Sequence, residues 1–516
     1  MVNTACERAL TDIEREIGTQ WLRRGDDALE PYRDPYSPGL DDKFRARAAV
    51  LPGSVEEVSA IVRIAAHHGV PLWTISRGKN LGYGGPAPRI EGAVIVDLGR
   101  LNRVIEVDQD LGYAIIEPGV TFFDLYERLQ ELGGKLWASV PALGWGSVVG
   151  NALERGFGYT PYGDHSENIC GLEVVLGDGQ IVRTGLGAHS GSKTWPIAKA
   201  AYGPSLDGLF LQSNNGIVTK MGIWLMPQPE AFAACRITFP QEDQLGQIID
   251  ILRPLRLSGA IQSSAVLANA VRIGAATSSR GRWFGGTGPM PQQVIHKIIS
   301  DLDIGWWNLR FGLYGPDKLI DFRIDEIRSA FAGVQGARFD IRRYHPGDDL
   351  LPGDSVMAGV PGLAALQAVK WLGPNGGHLS FSPISPPIGR DAVAQYQMAK
   401  AAAEEHGFDY YGGFTAGARH LNHIFLILFS KDDAAQCANA RKLFRRLVAD
   451  AAALGYGEYR THVAFMDDVR AIYDFNQHAL TGLSQKIKAA LDPAGVLSPG
   501  KQGIWPPRYS EVPSAH

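Results

Sequence analysis

Cysteine is sparse in this sequence. Cys6, Cys170, Cys235 and Cys437 are four among 516 residues, widely separated and without a CxxC pair. Such spacing supports no disulfide framework, and free thiols in a reducing compartment are the expectation. Long apolar runs are missing too. No stretch reaches the roughly 18 apolar residues that a membrane span requires. The opening MVNTACERALTDIEREIG is amphipathic and charged, without the apolar centre of a signal peptide. Nor is there an excess of one charge. Fifty Lys and Arg stand against 54 Asp and Glu, for a net charge of −4 and no basic stripe, so no nucleic-acid partner is expected. Together these absences describe a soluble, cytoplasmic protein.

Common catalytic signatures are absent as well: there is no HExxH, no GxSxG and no GxGxxG after a strand. GVLSPGKQ, 495–502, has the glycine and lysine spacing of a phosphate loop. Gln502, however, stands where Ser or Thr must hold magnesium, and Pro499 removes an N–H. His67-His68 has no further ligands at useful spacing, so it is read as a solvated helix terminus and no metal is expected.

What is abundant is glycine, 61 residues against a usual share of about 7%. The glycines gather in short loops at 82–85, 144–150, 185–191 and 373–377, which points to close approach of backbone to backbone or to a ligand.

The length predicts two or three domains. In LPGSVEEVSAIVRIAAHHGV, Ser54 and Glu57 form a capping box, the apolar residues repeat at helical spacing, and Gly69 ends the helix. A strand over 70–75 leads into SRGKNLGYGG. Strands follow near 92–98, 102–107 and 112–117, then a helix from Thr121 to Leu132. A hairpin turns at Asp178-Gly179. After PQPEAF the texture changes to longer units, with helices over 241–255, 316–331 and 390–406 and a strand at 423–429. This is an α+β protein. Residues 227–455 are read as a second α+β domain inserted between 1–226 and 456–516.

Three small-residue loops, SRGKNLGYGG, GNALERGFGYTPYGDH and NNGIVTKMG, could together cradle a dinucleotide-like ligand through their N–H groups. In GYGEYRTH, Tyr459 adjoins Arg460, and Tyr83 stands in GYGG. One reading is a strand end with a stacked guanidinium. The other is a phenolate site, with arginine as the permanent cation and two hydroxyls as donors. Lowering a phenol from about 10 to about 7 asks for ~4 kcal/mol of preference for the anion. GPNGGHLSFSP, 373–383, sets His378 among glycines. A buried, hydrogen-bonded histidine is the plain reading, and a ligand contact is the other.

These segments, with NNGIVTKMGIWLMPQP, GYGEYRTHVAFMD and DPAGVLSPGKQGIWP, closely resemble the flavoprotein family of vanillyl-alcohol oxidase, eugenol oxidase and the flavin subunit of p-cresol methylhydroxylase. The resemblance runs in one order along nearly the whole chain, and is weakest from about 230 to 370. It implies the two-domain FAD-linked oxidase fold, an FAD-binding domain from both chain ends plus an inserted cap. It implies FAD joined covalently through His378, which points to the oxidase branch, where the histidine carries the flavin. It further implies a diphosphate loop of Ser76, Arg77, Gly78, Lys79 and Asn80, and cofactor contacts from Gly150, Asn151, Ile217, Val218 and Lys501. Tyr83, Tyr459 and Arg460 match the catalytic phenolate-binding set; Ala142, Ser380, Ser382, Gly413 and Thr415 match the substrate pocket.

The implied activity is oxidation of a para-substituted phenol (a 4-hydroxybenzylic alcohol or a 4-alkyl or 4-allyl phenol) through a p-quinone methide, with O2 as acceptor. A homodimer or larger homo-oligomer goes with it. A cytochrome would be the partner if electrons pass to a protein instead. Two further readings are a non-phenolic alcohol as substrate and a flavin-binding subunit without turnover. Two departures stand out. Ala142 occupies the place of an acid–base aspartate and cannot move a proton, and Gly413 stands where relatives carry larger side chains, which would admit a bulkier ring substituent such as a second methoxy group.

Overall fold

The computed structural model describes residues 2–40 and 43–509. Near the N-terminus, the helices Val2–Ile17 and Val55–His68 pack through Ala9, Leu10 and Ile13 against Val58, Ile61 and Val62. Ser54 accepts from the Glu57 N–H (3.2 Å) and Gly69 closes the helix in the left-handed region at φ 68. The return bond of the capping box lands one residue early, where the Glu57 carboxylate takes the Gly53 N–H at 2.6 Å. His68 is not a solvated terminus: its Nε2 meets Asp12 Oδ2 at 2.8 Å, tying the two helices together.

Strands Ala48–Val50 and Leu72–Ile75 flank Val94–Asp97 in parallel within a four-stranded sheet. A five-stranded antiparallel sheet follows, centred on Ile217–Trp224 and including the hairpin of Ile169–Val175 with Ile181–Arg183. Beyond a two-stranded ribbon, the largest sheet has nine strands. They run from Ala231–Phe239 to Gly457–Glu458, so the sheet extends just past residue 455. Helices Leu245–Leu257, Asp317–Phe331, Gly389–Glu405 and Ala434–Ala453 cover one face with a continuous apolar core. Strand alternation turns the other set of side chains, among them His378, Ser380, Asn422, Thr415, Val266 and Arg310, to the opposite face. The four cysteines are buried, and Cys6, Cys170 and Cys235 are free thiols. No helix is long and apolar enough to cross a membrane, and no group of metal-binding side chains forms, among the described residues.

The C-terminal segment folds back onto the first parallel sheet. Leu72 donates its N–H to the Val496 carbonyl (2.8 Å) and Thr74 to Ser498 Oγ (3.2 Å). One buried cation braces this return. The Lys488 ammonium is fully enclosed, paired to Asp492 at 2.7 Å and donating to the carbonyls of Asn214 and of Leu497, the latter at 2.8 Å. Asp492 in turn accepts from the Val496 and Leu497 N–H groups. Lys488→Met leaves that carboxylate buried without its counter-ion, so we expect a loss of about 3 kcal/mol in stability, measured by denaturant unfolding of the flavin-loaded protein.

Candidate active site

The three glycine-bearing loops meet in one cavity enclosing about 1390 Å³ of empty space, part of it continuous with solvent. Ser76, Gly78, Lys79, Asn80 and Tyr83 come from the first loop, Gly150 and Asn151 from the second, and Ile217 and Val218 from the third. Arg460 and Lys501 complete the wall from the far end of the sequence. Arg77 does not take part. Its side chain is exposed and lies beside Gly99, because the loop turns at Gly78 with φ +62 and sends the two flanking side chains apart.

Ionic groups hold the lower wall. Lys501 Nζ meets Glu154 Oε1 at 2.6 Å. Burial alone would raise the Glu154 carboxyl; Lys501 and Arg460 overcome it and hold the group below its usual range. Arg460 sends Nη2 to Asn80 Oδ1 (2.7 Å) and lays its guanidinium 4.3 Å from the Tyr83 ring centre. The stacked-guanidinium reading is therefore correct as geometry, and it brings Arg460 and Tyr83 to one point. Tyr459 interacts there too, with Arg460 and Asn422. Burial pushes its hydroxyl up to about 12, so it stays a donor near neutral pH, while the two tyrosines and Glu154 keep Arg460 a cation despite its burial.

Tyr459 and Arg460 are aimed by neighbours that sequence inspection did not single out. Gln212 donates to the Tyr459 carbonyl at 2.7 Å. Glu458 Oε1 accepts the Ser382 N–H at 2.7 Å, and burial raises this carboxyl well above its usual value. Val463 donates to the Tyr83 carbonyl (3.2 Å), closing the first loop onto the C-terminal segment.

His378 lies on strand Gly376–Phe381. Its Nδ1 is buried without a hydrogen-bond partner among the described residues, so the plain reading of a satisfied core histidine fails. Burial lowers it to about 4, against the pull of Asp34, and the imidazole is neutral at physiological pH. Asp34 itself is held by His462 Nε2 at 2.9 Å. Of the two readings open for the glycines before His378, the structure shows close approach to the protein itself. A Cβ on Gly376 would strike the Val369 carbonyl, and one on Gly377 the Phe429 ring. The glycine that accommodates the imidazole is Gly82, at φ +79, where a Cβ would fall on the ring itself.

The pocket candidates sit on the site-facing side of the large sheet rather than in the cavity wall. Ser380 faces Leu426 and Thr415 faces Asn422 across neighbouring strands. Ser382 Oγ, Thr415 Oγ1 and Asn422 Oδ1 are buried without partners in the protein among the described residues. Ala142 packs beside the cluster of Tyr159, Phe232 and Val266. Gly413 does not enlarge the pocket. A side chain there would run into the Leu267 backbone, so this glycine serves strand packing, and the reasoning from a missing side chain to a bulkier ring substituent fails.

Such a set fits a flavin dinucleotide. The looped N–H groups suit a diphosphate, and Thr74 Oγ1 and Asn214 Oδ1 in the cavity wall are unpartnered within the protein. Fold and site define an FAD-linked oxidoreductase of two-domain type. Family models agree: an FAD binding domain matches residues 46–185, and the C-terminal domain of FAD linked oxidases matches 367–502. The 4-cresol dehydrogenase [hydroxylating] flavoprotein subunit of Pseudomonas putida is 37% identical over 93% of this chain and 92% of its own length. The solved 4-ethylphenol oxidase of Gulosibacter chungangensis, in an isoeugenol complex, superimposes with TM-score 0.94 at 39% identity, covering 98% of each chain. A substrate-bound p-cresol methylhydroxylase gives 0.93 at 36%, covering 97% of each. The chain belongs to the vanillyl-alcohol oxidase and p-cresol methylhydroxylase family of FAD-dependent oxidoreductases.

Proposed function

We propose that this protein oxidises 4-alkylphenols at the benzylic carbon and is reoxidised by O2. The observation that carries the reading is the meeting of Tyr83, Tyr459 and Arg460 at one end of the cofactor cavity. Arg460 is a buried cation whose nearest anchor is the neutral Asn80 amide, so it can neutralise a phenolate. Tyr459, held as a donor, supplies a second contact to the same oxygen. Binding the anion raises electron density at the para position, which makes loss of a benzylic hydride feasible and favours a p-quinone methide. FAD, when bound, supplies the acceptor for that hydride. Water adding to the quinone methide then gives the 4-hydroxybenzylic alcohol. Ala142 provides no proton, so that step falls to water or to other polar groups on this face.

His378 would carry the cofactor covalently. A neutral imidazole with an unshared Nδ1 is the form that can bond an electrophilic flavin carbon. A cytoplasmic homodimer is the working state we propose. A second reading, electron transfer to a protein acceptor such as a cytochrome, is favoured by the dehydrogenase name of the 37%-identical relative. One experiment separates them. Anaerobic addition of 4-ethylphenol bleaches the yellow flavin, and admitted oxygen restores it within the turnover time if the protein is an oxidase. Slow return of colour favours a protein acceptor, and no bleaching overturns the phenol reading.

A further inference from the structure

The site-facing side of the large sheet carries a second, cationic end. Paired residues in successive strands set Asn422, Thr415, Val266 and Arg310 in one row across the sheet. Asn422 touches the Tyr459 end of the row. Arg310 lies three strand spacings away, roughly 14 Å between backbones. A substrate spanning this row requires the Arg310 side chain to reach inward along it, toward the para substituent of a phenol held at Arg460.

Arg310 is partly buried and forms no ion pair with a carboxylate among the described residues. Its guanidinium donates to the Gly353 carbonyl (3.1 Å) and stands 5.0 Å from the Tyr159 ring centre. Arg272 holds the Tyr411 hydroxyl, while its Nη1 is buried without a partner among the described residues. The two guanidiniums feel each other's charge. Asp354, the buried carboxylate on this face, is already taken by Arg236 (2.6 Å), Arg342 (3.3 Å) and the Tyr344 hydroxyl (2.9 Å). Two partly buried like charges whose nearest carboxylate, Asp354, is already engaged elsewhere repel each other, and an incoming anion would relieve both. A planar carboxylate suits paired guanidiniums.

We infer that the substrate is a 4-alkylphenol whose alkyl chain ends in a carboxylate, bound by Arg310 and Arg272 while the phenolate lies at Arg460. This rests on the phenol reading above. The test compares 3-(4-hydroxyphenyl)propanoate with its neutral primary amide, an isostere, by the rate of anaerobic flavin bleaching against concentration. The carboxylate should be favoured in kcat/KM by roughly ten- to a hundredfold. Arg310→Gln or Arg272→Gln should pull that ratio toward one, and Arg310→Lys should restore part of it; a purely structural lesion would lower both substrates together. A wild-type ratio near or below one overturns the inference without any variant, as does a high ratio that neither glutamine substitution moves. If 4-ethylphenol bleaches the flavin and neither propanoid compound does, the phenol reading stands and this inference falls. If 4-ethylphenol does not bleach it either, the phenol reading has failed and takes the inference with it.

Discussion

Arg460→Ala is expected to cut kcat/KM for 4-ethylphenol by about 100- to 1,000-fold. The substitution removes the cation that faces the phenolate, its bond to Asn80 and its stacking on Tyr83. Losing charge-assisted contacts of ~1.5–3 kcal/mol each accounts for that range. The loss should appear in binding as well as turnover. A phenol without a benzylic C–H bond, titrated into the wild-type protein, should take on the phenolate ultraviolet spectrum below its solution pKa, and should not do so in the variant. Arg460→Lys should recover only part of the loss, since an ammonium cannot hold Asn80 and a phenolate in one plane. An alanine variant of unchanged kcat/KM would remove the phenolate from the mechanism and return a non-phenolic alcohol to consideration.

The second large effect is all-or-none. Acid precipitation of the wild-type protein should bring down yellow material, as the proposed covalent link through His378 requires. With His378→Ala the colour should remain in the supernatant. Reduction by 4-ethylphenol should also slow by roughly tenfold, as the link to the ring tunes the cofactor's electronics. The side chain removed is neutral and has no partner at Nδ1, so no ion pair breaks and the fold should survive. Release of free flavin from the wild type would make His378 a contact rather than a bond.

How far the sequence could be read depended on the distance over which each residue acts. The Ser54 cap, the Gly69 terminus and the turn at Asp178-Gly179 are settled by neighbours a few positions away, and all were legible. His68 was misjudged because its partner, Asp12, lies 56 residues upstream. Gln212, Asn422 and Glu458 carry no local signature at all. They matter because strand pairing and loop closure bring them to Tyr459 and Ser382, and a polar residue inside a strand looks the same whether it faces solvent or a buried pocket. Gly376 and Gly413 show the reverse error. Gly413 was taken as room for a ring substituent, and the 373–377 glycines left a ligand open, whereas strands and carbonyls of the protein itself occupy both places. A glycine signals close approach without saying of what.

The closure of the cavity by residues from opposite ends of the chain bears on how the protein comes to be assembled. Arg460 reaches Asn80 across 380 positions, and Thr74 reaches Ser498 across 424. Contacts this distant in sequence incur the full entropy of closing a very long loop before they return any stabilisation. During synthesis, the first parallel sheet and the nine-stranded sheet can therefore form while the flavin wall is still missing its last segment. Cofactor capture becomes a late event that awaits residues 496–501, and a polypeptide truncated near residue 490 should keep most of its secondary structure yet hold no flavin.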